Sequence, residues 1–256
     1  MDRMSRRKFI GTSGAVAGGL AVGGVLASSG PVAGATAHRP TTPAEALKLL
    51  LAGNARYANG KPKAPRRGAA TRQETLNGQY PYAVILSCSD SRVPPEVLFD
   101  VGIGDIFVIR VAGNTATVDV NQGSIAYGLG ALGARLLMVL GHQNCGACVA
   151  ALTAVQSGPI TEEERSIGQL GPDDSTQLFK DLINSFVLPI QPAAQEALKH
   201  PATFPAQLEL VVQQNVRNQV ALLKTLTPKL NPPVPSSVEV VGYEYSLQTG
   251  RVRAVS

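Results

Sequence analysis

At 256 residues the chain has room for one α/β domain with a full core. Hydrophobic residues make up 44% and charged residues 16%, a balance that excludes a disordered chain. The formal charge of +5 is concentrated in the first residues, and no basic stripe interleaved with aromatics occurs, so composition gives no nucleic-acid footprint.

The N-terminus has a basic start, a Gly/Ala-rich apolar middle and a small-residue stretch at Ala35–Ala37. This three-part layout predicts a secretory signal over residues 1–37. Arg6 and Arg7, followed by Lys8 and Phe9, resemble a twin-arginine address, which implies an exported protein. Cleavage after Ala37 would leave residues 38–256 with a net charge of +2. The alternative is an uncleaved segment acting as a membrane anchor. The three cysteines, Cys88, Cys145 and Cys148, are too few and of the wrong parity for a disulfide framework. Free thiols sit badly with an oxidising compartment. Metal ligation would remove that conflict, and a twin-arginine route would let the metal be loaded before export.

After a linker at 38–42, residues 43–60 have helical periodicity with Pro43 suited to a first turn. Residues 61–68 read as a basic, solvated connector. Short apolar runs at 82–87, 106–111, 135–141 and 237–245 then read as strands. Helical segments are expected at 121–133, 145–156, 175–190 and 205–226, and a turn with helix-capping residues at 171–175. A turn at Thr249–Gly250 leads to a last short strand. Near-continuous apolar strands separated by helices predict an α/β fold with a parallel-core sheet covered on both faces.

Two clusters lie where apolar strands give way to loops. Cys88, Asp90 and Arg92 alternate after the first strand, and His142 and Cys145 follow a later one. Ligands bind at the carboxyl ends of strands in an open parallel sheet. Two thiolates and one imidazole suit tetrahedral zinc, and three protein ligands leave a fourth position open. Asp90 is within reach of that position, either as a fourth ligand or as a hydrogen-bond acceptor for water there. Arg92 is placed to hold Asp90 by a charge-assisted pair that keeps it ionised and aimed. A rival reading takes Cys145-Gly-Ala-Cys148 as a redox C-x-x-C, but it leaves Cys88, Asp90, Arg92 and His142 without roles. The Gly-x-Gly at 102–104 precedes a strand and has no glycine-led helix after it, which argues against a dinucleotide fingerprint.

These motifs, CSDSR (88–92) and GHQNCGAC (141–148), resemble those of the β-class carbonic anhydrases. So do GDIFVIRVAGN (104–114), GSIAYGLGALG (123–133) and the segments at 215–223 and 238–252. The resemblance runs from about residue 43 to the end. It implies one zinc ion on Cys88, His142 and Cys145, with Asp90 and Arg92 as the catalytic dyad. It also implies reversible hydration of carbon dioxide to bicarbonate by attack of zinc-bound hydroxide. A homodimer or homotetramer is implied too, with the helix at 43–58 packing across the partner. Two positions depart from the family: Gln143 stands where Ser or Thr is common, and Ile85 where some members place the Trp of a regulatory bicarbonate pocket. Relatives with the same site hydrolyse carbon disulfide or carbonyl sulfide. Two thiolate ligands predict a less acidic water than the value of about 7 found with three His ligands, and activity that rises with pH.

Overall fold

The computed structural model describes residues 39–117, 119–157, 184–231 and 233–255. The signal segment expected at 1–37, the turn at 171–175 and most of the helix expected at 175–190 lie outside the described residues.

Helix α1 (Pro43–Ala58) starts where the sequence places it. Thr42 caps it by accepting from the Glu45 N–H at 3.2 Å, and Glu45 reaches back to the Thr42 N–H at 3.3 Å. That reciprocal pair satisfies two otherwise orphaned donors. Ala46, Leu50, Gly53 and Asn54 are buried at helical spacing. A short α2 (Ala69–Glu74) follows. Strand β1 (Ala83–Ser87), the brief α3 (Pro95–Leu98) and strand β2 (Ile106–Arg110) come next.

Helix α4 (Asp119–Ala126) widens into a π-turn at Tyr127–Ala131. A Cβ on Gly128 would lie 2.7 Å from a Val84 methyl, so this turn needs glycine to approach the sheet. Strand β3 (Leu136–His142) leads into α5 (Gly146–Ser157). Helices α6 (Gln191–Leu198) and α7 (Phe204–Leu226) precede β4 (Glu239–Tyr245) and β5 (Val252–Ala254). Helices α2, α3 and α6 were not expected from the sequence; two have only four to six residues and show little periodicity.

The sheet order is β2-β1-β3-β4-β5, with every pair parallel except β4–β5. Strands β1 and β3 are buried along their whole length because helices cover both faces. Ile85, Met138 and Leu140 face Ala46 and Leu50 of α1. Val84, Leu86, Leu137 and Val139 face Ile125 of α4 and Val216 and Leu223 of α7. The period-two alternation thus sends apolar side chains into both layers, which is why these strands read as unbroken apolar runs. The expected turn is present: Gly250, with φ 71°, closes it, and β5 adds an antiparallel edge to β4.

The basic loop at 61–68 is solvent-exposed over most of its length, as expected, and is also anchored to the fold. Lys63 and Ala64 donate backbone N–H bonds to Asp100, Arg66 pairs with Asp105 and Glu74, and Arg67 donates to the Val101 and Glu96 carbonyls. It is a solvated connector that also clasps the fold, through acceptors most of which are remote in sequence.

From β1 the chain crosses to β2 on one side and then to β3 on the other. The order of strands therefore switches at β1–β3, and a crevice opens at the carboxyl ends of those two strands.

Candidate metal centre

Cys88 directly follows β1, His142 is the last residue of β3, and Cys145 directly precedes α5. Because β1 and β3 are neighbours in register, with Ser87 opposite Leu140, their ends converge on one crevice. Asn144 adopts φ 51°, a left-handed turn that folds the chain back between His142 and Cys145. The ladder continues past β1 through Ser89 N–H to the Val111 carbonyl at 3.2 Å, and past β3 through Gln143 N–H to the Tyr245 carbonyl at 3.0 Å. Both ends of the site are thus extensions of the sheet.

One ligand atom each from Cys88, His142 and Cys145 lies within 4.8 Å of the other two. The two sulfurs are 3.9 Å apart. Cys88 is 5% exposed, His142 is fully buried and Cys145 is 1% exposed. The His142 Nδ1 is 2.9 Å from the Gln143 carbonyl, whereas its Nε2 is buried with no hydrogen-bond partner. Nδ1–H donation to that carbonyl leaves Nε2 as a lone pair aimed into the crevice. The Cys145 thiol beside it, and then burial, push the Cys88 thiol up to about 12. Cys148 and burial likewise push Cys145 up to about 12. Two adjacent buried thiols resist ionisation near neutral pH unless a cation enters, and a divalent metal supplies that charge. The orphaned imidazole nitrogen and the paired thiols therefore fit zinc, with three protein ligands.

Asp90 and Arg92 lie beside this set. Arg92 grips Asp90 by a fork, Nε to Oδ1 at 2.9 Å and Nη2 to Oδ2 at 2.7 Å. The Arg92 backbone N–H adds a bond to Oδ1 at 2.9 Å. The Arg92 side-chain bonds are the main reason the Asp90 carboxyl is held well below the usual carboxylate range. Oδ2 lies 4.0 Å from the His142 Nε2. Cys148 is buried next to Cys145 but is not part of the donor cluster among the described residues.

Three residues that contact the site were not singled out in the sequence. Arg110 donates to the Cys88 carbonyl at 3.0 Å and to the Asp90 carbonyl at 2.6 Å, and so fixes the backbone carrying both. Its signal was available: it is the charged residue that ends an apolar strand, in register with Ser87. The Gly113 N–H points at the Cys88 sulfur at 3.4 Å. The Asn144 carbonyl accepts from Arg92 at 3.3 Å and ties the Asp90–Arg92 pair to the loop that carries Cys145.

The sequence model of the carbonic anhydrase family matches residues 83–252. Carbonic anhydrase 2 of Mycobacterium tuberculosis is 32% identical over 212 residues, covering 82% of this chain and 92% of that protein. The solved β-carbonic anhydrase CcaA superposes with a TM-score of 0.57 at 22% identity, covering 82% of this chain and 95% of that one. A tetrameric β-carbonic anhydrase of Sordaria macrospora gives 0.54 at 20% identity, covering 83% and 98%. The fold is that of these structures.

Proposed function

We propose that this chain, which belongs to the carbonic anhydrase family, holds one zinc ion on Cys88, His142 and Cys145, with Asp90 and Arg92 as the catalytic dyad. It is a zinc lyase that hydrates carbon dioxide reversibly to bicarbonate and a proton. The observation that carries the site assignment is the convergence of two thiols and an unpartnered imidazole nitrogen at the switch point of the sheet.

When bound, the metal supplies Lewis-acid chemistry that makes water acidic enough to act as a nucleophile near neutral pH. The protein supplies the rest. Asp90 stays ionised because Arg92 holds it, so Oδ2 accepts a hydrogen bond from the attacking water and turns a lone pair toward the carbon of carbon dioxide. Arg92 fixes the carboxylate and, through the Asn144 carbonyl, its distance from the second ligand loop. The Arg92 fork also engages both Asp90 oxygens, so that Asp90 would act beside the metal as a hydrogen-bond acceptor and not as a ligand to it. Gly113 donates to the Cys88 sulfur and moderates its negative charge.

The same reading extends to the whole chain. Residues 1–37 are a twin-arginine signal, residues 38–256 the enzyme, and the protein acts after export. α1 serves as the pairing helix of a homodimer or homotetramer. The basic pair Arg6–Arg7 and the small residues at 35–37 support the signal, the family match over 83–252 supports the enzyme, and the tetrameric relative of Sordaria macrospora supports the assembly.

The test is stopped-flow carbon dioxide hydration across mildly acid to alkaline pH, with zinc measured on the same sample. The expected result is about one zinc per chain and activity that climbs with pH. Full zinc with no hydration at any pH would refute the catalytic reading. Cys88→Ala should lose the zinc, and a zinc-replete Cys88→Ala protein would refute the ligand set.

A further inference from the structure

Helix α7 carries two amides into the core, Asn215 and Gln219, one turn apart and 1% and 2% exposed. Around them the same helix buries Leu208, Val211, Val212, Val216 and Leu223. Burying a primary amide among such neighbours costs free energy unless its polar atoms are bonded. Here they are bonded in series. Gln219 Oε1 accepts from the Ala116 N–H at 2.9 Å. Gln219 Nε2 donates to Asn215 Oδ1 at 3.2 Å, and Asn215 Nδ2 donates to the Gly113 carbonyl at 2.9 Å. α7 therefore grips both ends of residues 113–116.

That loop turns sharply through the left-handed region, where glycine and asparagine are the residues best tolerated. Gly113 and Asn114 have φ of 71° and 47°, two successive left-handed residues. A Cβ on Gly113 would lie 2.4 Å from the Ile190 Cδ1 and 3.2 Å from the Ala147 Cβ, so the backbone also runs close under α5 and the start of α6. In this pose the Gly113 carbonyl meets Asn215, while its N–H meets the Cys88 sulfur.

We propose that Asn215 and Gln219 are positioning residues of the metal centre: through the 113–116 loop they set the Gly113 N–H against the Cys88 sulfur. This rests on Cys88 being a metal ligand. The amide ladder thereby tunes how much charge Cys88 gives the metal, from a helix that touches neither metal nor substrate. Partners that orient a ligand in this way typically change metal affinity by about 10–100-fold when removed.

The experiment uses the full chain loaded with zinc, cobalt or NMR-active cadmium. Asn215→Leu and Gln219→Met keep side-chain size and remove the ladder. Zinc competition against a chelator should show affinity lowered about tenfold or more in each. In the cobalt form, the sulfur-to-cobalt absorption should move to longer wavelength, because a thiolate without its N–H donor holds its electrons less tightly. Folded variants with unchanged zinc affinity and an unmoved band would overturn the proposal. If both variants misfold, the wild-type cadmium form decides: scalar coupling between the Gly113 amide proton and cadmium through the Cys88 sulfur is expected, and its absence overturns the proposal. A wild-type chain that takes up no metal would overturn the metal reading itself, and this inference with it. Metal-loaded wild type with indifferent variants would overturn the inference alone.

Discussion

Asp90 and Asp100 each pair with an arginine, and the two pairs are built for opposite purposes. Asp100 has a fully buried side chain that accepts from Arg56 Nε at 2.6 Å and from the Lys63 and Ala64 N–H groups at 2.9 and 2.8 Å. Its oxygens are spent on three remote pieces of backbone and side chain. Asp90 is 17% exposed at its side chain, and its bonds come from a single residue, Arg92, two positions away. Arg92 holds both oxygens from one side, and Oδ2 also lies 4.0 Å from the imidazole Nε2 of His142. A carboxylate saturated from all sides can only hold a fold together. One gripped from one side by a local partner keeps an acceptor free for chemistry. The pairing residue type is the same, and the difference lies in where the donors come from.

The largest effect that would break this contrast is at Asp90. Asp90→Asn should lower carbon dioxide hydration by about 100-fold with zinc content close to wild type and only a modest drop in Tm, since its partner Arg92 is half exposed. Arg92→Lys, which keeps the charge and loses the fork, should fall between wild type and Asp90→Asn. Asp90→Asn with wild-type activity would remove Asp90 from the mechanism.

Asp100→Ala should do the reverse. Removing it strands Arg56 and two backbone donors, so stability should drop by about 3 kcal/mol, read by urea unfolding. Activity per folded molecule should stay at the wild-type level. A loss of activity without a loss of stability would place Asp100 nearer the chemistry than its contacts do.

The smallest effect concerns a third carboxylate–arginine pair. Glu244 is 1% exposed, its Oε2 accepts from Arg253 at 2.9 and 3.1 Å, and its Oε1 has no partner among the described residues. Arg253 also bonds Glu209. Burial first, and the Glu209 charge second, push the Glu244 carboxyl up from 4.5 to about 7. Asp90 and Asp100 are both shifted down, so their contributions to stability are present above the ordinary carboxylate range and lost only as pH falls below it. For Glu244 the sign is opposite: the native state holds the proton more tightly, so stability is lost as pH rises from 4.5 toward about 7. Glu244→Gln should flatten that decline in a Tm-against-pH series. An unchanged slope would mean that Glu244 does not set it.

The sequence by itself determined the strands, most of the long helices and the donor set of the metal centre. Apolar runs of strand length leave no polar face for solvent, so β1 and β3 had to be buried on both sides. Cys88, His142 and Cys145 were legible because thiols and an imidazole at the ends of such runs have few other uses. The Asp90–Arg92 pair was legible because its partners are two residues apart and meet whatever the rest of the chain does. Tertiary structure decided everything that joins distant segments. The anchoring of the basic loop at 61–68 was not legible because its acceptors, Asp100 and Asp105, lie more than thirty residues away. Gly113 could be read as a turn glycine, but not as the donor to Cys88. Asn215 and Gln219 fall in the family-like segment at 215–223, but their role was not legible, since whether an amide is buried against a loop about one hundred residues earlier depends on helix packing. Local chemistry fixed which atoms could bind a metal, and long-range packing fixed how those atoms are held, because a hydrogen bond between remote segments leaves no periodicity in either one.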